Sequence, residues 1–273
     1  MNNFTKRIIF GSIYVALVVS STLLGPMFFY GLFFIFMIFC LYEFIKIIEL
    51  KSVYPYILAI ASFSLAIVSN NNLIVFEGDL SEKINVSIIT IVVYFSLITA
   101  LVSSRKVAIQ YLGRIFLSFI YIIIPFSLLI KIPYLNMEHA FDTSVILGIF
   151  ILIWSNDVFA FLIGKNFGKH KLIERVSPNK TIEGFLGGFL FTFVAGYFVS
   201  QYCLSIQTIH WFSIAIIVSI FGVLGDLIES MFKRQAHLKD SSNFIPGHGG
   251  FLDRLDSIIF AIPFIYIYLY LTT

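Results

Sequence analysis

The chain has 273 residues, of which 59% are hydrophobic and 12% are charged, and its mean hydropathy is +0.96. A soluble domain carries about 25% charged residues, so this composition excludes an ordinary soluble protein. The net charge of +3 is small, and only its distribution along the chain is informative. The apolar runs are continuous rather than alternating, which argues against a membrane β-barrel.

The apolar runs are long enough to cross a hydrocarbon core, which takes roughly 20 helical residues. We predict an all-α polytopic membrane protein and expect no cleavable signal peptide, because the first run lacks a small-residue cleavage site. The nine predicted spans are 8–24, 27–45, 54–70, 84–102, 114–131, 143–163, 181–200, 211–230 and 255–271. Residues 1–131 are predicted to form a scaffold with oligomer contacts, and residues 132–273 a catalytic membrane region.

The basic residues alternate between loops and so predict an orientation. With a cytoplasmic N-terminus, 16 of the 18 lysines and arginines lie on the cytoplasmic side, and only Lys83 and Lys131 lie opposite. The two longest polar loops, 164–180 and 231–254, then face the cytoplasm, and we expect the active site there. The end of the second span, with Glu43, Lys46 and Glu49, is interpreted as a solvated helix end without chemistry.

Charged groups inside spans cost about 2.5–3.5 kcal/mol each on insertion, so they are candidates for function. They cluster in the last third of the chain. Helical spacing places two sets on shared faces: positions i, i+3, i+4 and i+7 of the eighth span, and i, i+3 and i+4 at the start of the ninth. The sets are Asp226, Glu229, Ser230 and Lys233, and Asp253, Asp256 and Ser257, while Asp157 lies within the sixth span.

If the last two spans pack side by side, several carboxylates converge and need a cation. Oxygen ligands of this kind favour Mg²⁺, which is usually held by one or two carboxylates and substrate phosphates. The alternative is that these interfacial acids simply pair with bases or with lipid headgroups. Together with the basic loop, the cluster predicts phosphate chemistry on a lipid, in which positioning and charge neutralisation dominate.

The basic loop that precedes the seventh span offers a candidate anion site. Ser177-Pro178 is typical of an N-cap followed by a first-turn proline, with Lys180 close by. The alternative is that the loop is basic because of its membrane side, or attracts anionic lipid. In the second loop, the glycines around His248 allow close backbone approach to a ligand. His248 itself is an acid–base group, a phosphate donor or a loop hydrogen-bonder.

The run SMFKRQAHLKDSSNFIPGHGGFLDRLD, Ser230–Asp256, resembles the signature of the phosphatidate cytidylyltransferases, the CDP-diacylglycerol synthases. An upstream block, NDVFAFLIGKNFGKHKL with VSPNKTIEG, is similar to a second motif of that family. The two blocks cover about the C-terminal 40% of the chain. Asp157 is followed by Val158-Phe159-Ala160-Phe161, where the family often has Ser/Thr-Gly-Ala-Tyr, so a tyrosine hydroxyl is missing.

The resemblance implies Mg²⁺-dependent conversion of CTP and phosphatidate to CDP-diacylglycerol and pyrophosphate, with room for a second, monovalent or divalent cation. It implies metal-binding roles for Asp226, Asp253 and Asp256, and catalytic roles for Asp253, Lys239, Asp240, His248 and Arg254. Binding of substrate phosphates falls to Ser177, Asn179, Lys180, Thr181, Lys233, Arg234, Gly249 and Gly250. Asp157, Glu229 and Ser230 are further candidates.

The resemblance also favours a homodimer. We expect no nucleic-acid partner and a location in the bacterial inner membrane, with an organelle membrane as the open alternative. A CTP-dependent lipid kinase is the nearest competing function, because it would use the same nucleotide but transfer its γ-phosphate. An ion-coupled transporter is less favoured, since the acids lie at helix ends rather than near the midplane. A purely structural membrane protein would not need the glycine-rich loop.

Overall fold

The computed structural model describes residues 3–70, 108–135, 140–242, 244 and 249–272. Within these residues the chain forms eight helices and one β-hairpin. The helices are α1 Asn3–Leu23, α2 Pro26–Ile47, α3 Tyr54–Asn70, α4 Ala108–Ser118 continued through a π turn at Phe119–Ile123 into Ile124–Leu129, α5 Thr143–Phe167, α6 Ile182–Tyr202, α7 Thr208–Gln235 and α8 Leu252–Thr272. The hairpin strands are β1 Lys171–Ile173 and β2 Ser177–Thr181.

Six helices of the described part are long and apolar enough to cross a membrane, which supports an integral membrane protein. They include α2 and α4–α8, while the apolar stretches Ile9–Leu23 and Tyr54–Asn70 are shorter. The predicted span 84–102 lies outside the described residues. The predicted span 211–230 is part of a longer helix that ends at Gln235, so the whole polar set from Asp226 to Lys233 is helical.

A β-hairpin connects α5 to α6 and adds strand structure to the predicted all-α fold. The strands pair antiparallel, with Lys171 opposite Thr181 and Ile173 opposite Ser177. The prediction that Ser177 caps a helix is therefore wrong. The helix begins at Ile182, and Thr181 is its N-cap, with Oγ1 accepting a hydrogen bond from the backbone N–H of Gly184 at 3.1 Å.

Close packing of α7 on α8 brings the two predicted polar sets together. A Cβ atom at Gly225 would lie 2.6 Å from the backbone oxygen of Asp256, so a side chain there would separate the helices. One turn earlier, α7 contains a π turn at Val218–Gly222, a feature often found near functional sites. The acidic end of α7 consequently lies against the first turns of α8.

The N-terminal helices pack directly against the C-terminal ones. Tyr14 on α1 contacts Trp154 on α5, with ring centroids 6.2 Å apart. Phe39 on α2 stacks on Phe251, just before α8, at 4.7 Å and an interplanar angle of 11°. The first helices thus form part of the walls around the polar residues of α5, α7 and α8.

Candidate active site

The end of α7 presents its polar residues along one face, as their spacing predicts. Ser230 Oγ donates a hydrogen bond to Asp226 Oδ1 at 3.4 Å, and Glu229 Oε2 lies 2.5 Å from Lys233 Nζ. Glu229 and Lys233 are buried, whereas Asp226 and Ser230 are partly exposed. The face therefore divides into an internal ion pair and a more accessible carboxylate.

Lys233 joins α7 to the start of α8. Its Nζ lies 2.5 Å from Asp253 Oδ1 as well as 2.5 Å from Glu229 Oε2. The lysine side chain is 11% exposed, and the two carboxylates are 9% and 1% exposed, respectively. Charges removed from water are tolerated when they are paired, so these three groups hold one another in place.

The second oxygen of Asp253 organises the glycine-rich segment. Asp253 Oδ2 accepts hydrogen bonds from the backbone N–H of Gly250 at 2.7 Å, from the backbone N–H of Ser241 at 3.0 Å and from Ser241 Oγ at 2.9 Å. Gly249 has φ +86°, and a Cβ there would lie 2.5 Å from Asp253 Oδ2. The backbone closely approaches a carboxylate of the protein itself, which gives the glycines a specific role.

Lys180 connects the basic loop to the acidic helix. It lies in β2, and its Nζ is 2.5 Å from Asp226 Oδ2 on α7. The two side chains are 25% and 35% exposed, so the pair is accessible from one side. The hairpin, rather than a helix N-terminus, therefore delivers the predicted anion-binding lysine.

A cavity of about 1150 Å³ unites most of the predicted polar residues. Its walls combine α1, α5, the hairpin, α7 and α8. The charged lining includes Asp157, Lys180, Asp226, Asp253, Arg254 and Asp256. The apolar lining includes Phe10, Ile13, Leu17, Val158 and Phe161. Such a cavity can accept a ligand with one charged end and one apolar end.

The remaining predicted residues divide between this lining and its surroundings. Ser177, Asn179 and Thr181 also line the cavity. Arg234, Lys239 and Asp240 are exposed and do not line it. Glu229, Ser230, Lys233, Gly249 and Gly250 are also not among the lining residues, and Lys233 and Gly250 contact the lining residue Asp253. His248 lies outside the described residues.

Three lining carboxylates, Asp157, Asp226 and Asp256, come from three different helices. Within the described ranges, no group of three acidic, histidine or cysteine side chains forms a complete protein-only metal site. The donor chemistry fits Mg²⁺ that is held by one or two carboxylates and completed by water and substrate phosphates.

Glu43 is a residue whose role the sequence interpretation missed. It is 0% exposed, so the prediction of a solvated helix end is wrong for this side chain. Its carboxylate accepts hydrogen bonds from Ser241 Oγ, Ser242 Oγ and the backbone N–H groups of Phe251 and Leu252. An acidic residue within an apolar helix was the available signal. The nearby Lys46 and Glu49, which are exposed, made Glu43 resemble part of a solvated helix end.

The sequence profile of the cytidylyltransferase family matches residues 5–272. The chain belongs to this family. The match extends the resemblance carried by the C-terminal motifs over nearly the whole chain, including the N-terminal helices that supply the apolar wall of the cavity.

Curated relatives give the same family assignment. A phosphatidate cytidylyltransferase of Bacillus subtilis (strain 168) is 39% identical over 192 residues, which cover 70% of each chain. The corresponding proteins of Staphylococcus aureus (strain COL) and Staphylococcus haemolyticus (strain JCSC1435) are 47% and 45% identical over 126 residues. Those alignments span 45% of this chain and 48% of each staphylococcal protein, or about half of its length.

Proposed function

We propose that the protein is a phosphatidate cytidylyltransferase, which converts CTP and phosphatidate to CDP-diacylglycerol and pyrophosphate. The observation that carries the proposal is the amphipathic cavity. A phosphatidate phosphate suits the charged lining, and its acyl chains suit the apolar surface supplied by α1 and α5. Family membership and the names of the relatives support the same reaction.

The proposed chemistry is an in-line substitution at phosphorus. An oxygen of the phosphatidate phosphate forms a bond to the α-phosphorus of CTP, and the bond from that phosphorus to the bridging oxygen of pyrophosphate breaks. The attacking phosphate is already anionic near neutral pH, so the protein need not supply a nucleophile. Its main tasks are to position two anionic substrates and to reduce their repulsion.

We assign two cations of the cavity lining, Lys180 and Arg254, to the binding of the substrate phosphates. Lys180 is held by Asp226, which fixes its ammonium group at the cavity wall. Preorganised charges of this kind stabilise negative charge that develops on the transferring group. Ser177, Asn179 and Thr181 on the same strand are proposed to donate to, or orient, the nucleotide phosphates.

We assign Mg²⁺ binding to Asp226 and Asp256, and any second cation to Asp157, which lines the same cavity. When bound, the ion neutralises charge on the substrate phosphates. Asp226 has both oxygens engaged by Ser230 and Lys180, and Asp253 has both engaged by Lys233, Ser241 and Gly250. Direct ligation by either carboxylate therefore requires exchange of one of these contacts. Arg234 and Lys239, which are exposed outside the cavity lining, are proposed to neutralise charge on the triphosphate. Asp240 and His248 are proposed to orient these groups or the attacking phosphate.

The proposed topology has nine spans and a cytoplasmic N-terminus in the bacterial inner membrane, with the active site facing the cytoplasm. The uneven distribution of basic residues and the bacterial relatives support this arrangement. Single cysteines at Ser81 and Gln235 test it, since the native Cys40 and Cys203 are buried. A membrane-impermeant maleimide should label Ser81→Cys in intact spheroplasts and Gln235→Cys after lysis alone; the reverse pattern contradicts the topology.

A homodimer is also proposed, on the family resemblance alone. The mass of the purified protein in detergent, corrected for bound detergent, tests it. A mass of two 31.1-kDa chains supports the dimer, and a mass of one chain contradicts it.

The reaction is tested with purified protein, phosphatidate, Mg²⁺ and CTP labelled on the α-phosphate. The proposal predicts label in the lipid, release of pyrophosphate and loss of both on addition of EDTA. A parallel reaction contains γ-labelled CTP and diacylglycerol. Lipid labelled in that reaction but not in the first would contradict cytidylyl transfer and support the lipid kinase.

A further inference from the structure

Glu43 links the second helix to the glycine-rich segment near the C-terminus across about 200 residues of sequence. Oε1 accepts hydrogen bonds from Ser242 Oγ at 2.5 Å and from Phe251 N–H at 3.1 Å. Oε2 accepts from Ser241 Oγ at 2.8 Å and from Leu252 N–H at 2.8 Å. Both oxygens of a fully buried carboxylate therefore hold groups on the two ends of one segment.

The contacts to Phe251 and Leu252 place negative charge at the start of α8. The first N–H groups of a helix have no partner within that helix, and its dipole favours an anion there. Glu43 satisfies two such donors from a different helix. The orientation of α8, which carries Arg254 and Asp256 into the cavity, thus depends on a side chain of α2.

Ser241 couples Glu43 to Asp253. Its Oγ lies 2.8 Å from Glu43 Oε2 and 2.9 Å from Asp253 Oδ2, so one hydroxyl hydrogen is shared between two carboxylates. Gly250 completes the arrangement, because an added Cβ would collide with Ser241 Oγ and with both oxygens of Glu43. The network has no space for an alternative side chain at this position.

Aromatic packing fixes the same segment to the same helix. Phe251 stacks on Phe39 at 4.7 Å and contacts Phe36 at 5.7 Å. Phe244 contacts Phe39 at 5.6 Å and Tyr42 at 6.0 Å. The face of α2 around Glu43 is therefore a docking surface for residues that flank the polar lining.

We infer that Glu43 is a positioning residue for the proposed cytidylyl transfer. It holds Ser241, Ser242 and the start of α8 so that Asp253, Arg254 and Asp256 keep their places relative to α7. The inference rests on the proposed function, because its main readout is turnover. Glu43 does not itself line the cavity and acts through Ser241, Ser242 and the backbone at the start of α8.

Glu43→Gln is the direct test, and Glu49→Gln is the matched control at an exposed position of the same helix end. The amide retains the shape but presents an NH₂ group to hydrogen-bond donors, which shifts the segment. A displacement near 1 Å can reduce turnover about 100-fold. We expect kcat per folded Glu43→Gln molecule to fall roughly 10- to 100-fold, with Glu49→Gln at the wild-type value.

Hydrogen exchange separates positioning from general stability. In Glu43→Gln, the backbone amides of Phe251 and Leu252 should lose protection while those of α5 and α6 keep theirs. A purely structural role would lower the folded fraction and raise exchange throughout, with kcat per folded molecule unchanged. Wild-type kcat in folded Glu43→Gln would overturn the inference, whereas an inactive wild-type protein would overturn the proposed function instead.

Ser242→Ala provides a milder variant if Glu43→Gln does not fold. It removes one donor to Glu43 and should reduce kcat several-fold; an unchanged kcat would contradict the inference. When both variants fold, the double variant should lose less activity than the product of the single losses, because both changes act on one network. Independent, multiplicative losses would also contradict it.

Discussion

Lys233 Nζ lies 2.5 Å from Asp253 Oδ1 and thereby ties the polar end of α7 to the first turn of α8. The same ammonium group serves Glu229 one turn earlier on its own helix. The residues of the signature run Ser230–Asp256 therefore have two kinds of role. Some line the cavity, and others form the internal support that holds that lining.

The buried pairing predicts a large effect of Lys233→Met on stability. The substitution retains much of the side-chain volume but leaves two buried carboxylates without their cation. Breaking a buried pair in this way costs about 3–5 kcal/mol, so the thermal midpoint in detergent should fall markedly. Arg234→Met, at the adjacent exposed position, should change the midpoint little. Equal midpoints for the two variants would show that the buried pair does not support the fold.

Gly249→Ala is predicted to disturb the support of Asp253. The positive φ costs a non-glycine residue about 1–2 kcal/mol, and the added Cβ would lie 2.5 Å from Asp253 Oδ2. Both stability and turnover should fall. Gly113→Ala is the control, because it lies in α4 with no heavy atom within 4 Å of the added Cβ. Stability at or above wild type is expected there, and the same result for Gly249→Ala would contradict the described geometry.

Lys180→Met tests the proposed anion-binding group. Loss of one preorganised positive charge should lower kcat/KM about 100- to 1000-fold, in the range found for oxyanion-stabilising groups. Lys180→Arg should retain more activity, because it keeps the charge. Lys169→Met removes a lysine of the same loop that does not line the cavity, and it should leave kcat/KM near wild type. A loss for Lys169→Met that matched Lys180→Met would indicate a general effect of loop charge.

Much of the site was accessible from sequence because it depends on short-range geometry. Helical spacing alone put Asp226, Glu229, Ser230 and Lys233 on one face, and the structure confirms that arrangement. The motif resemblance supplied the reaction class. Helix packing then determined which of these side chains reach the cavity, and spacing along one helix contains no information on that division.

The missed features depend on contacts between distant parts of the chain. Glu43 is buried because Ser241 and the start of α8 pack on it, and hydropathy near residue 43 gives no sign of that contact. Ser177-Pro178 has the composition of a helix start, yet pairing with β1 places it in a strand. The capping function moves to Thr181, whose Oγ1 meets the N–H of Gly184.

The proposed metal role predicts a specific change in Mg²⁺ dependence. Asp256→Asn should raise the Mg²⁺ concentration that gives half-maximal activity by about tenfold or more, because one carboxylate ligand is lost. Asp142→Asn is the control: Asp142 caps α5 through Ser144 N–H at 2.8 Å, and asparagine caps helices equally well. An identical Mg²⁺ dependence in Asp256→Asn and wild type would exclude Asp256 as a ligand.

The most direct test of the account follows the oxygens of the phosphatidate phosphate. Purified enzyme is incubated with phosphatidate that carries ¹⁸O in its non-bridging phosphate oxygens, together with unlabelled CTP and Mg²⁺. The ¹⁸O content of each product is then measured by mass spectrometry. Attack by phosphatidate on the α-phosphorus predicts that CDP-diacylglycerol retains all of the ¹⁸O and that the released pyrophosphate contains none. Heavy pyrophosphate, or a lipid product without the cytidylyl group, would contradict the account.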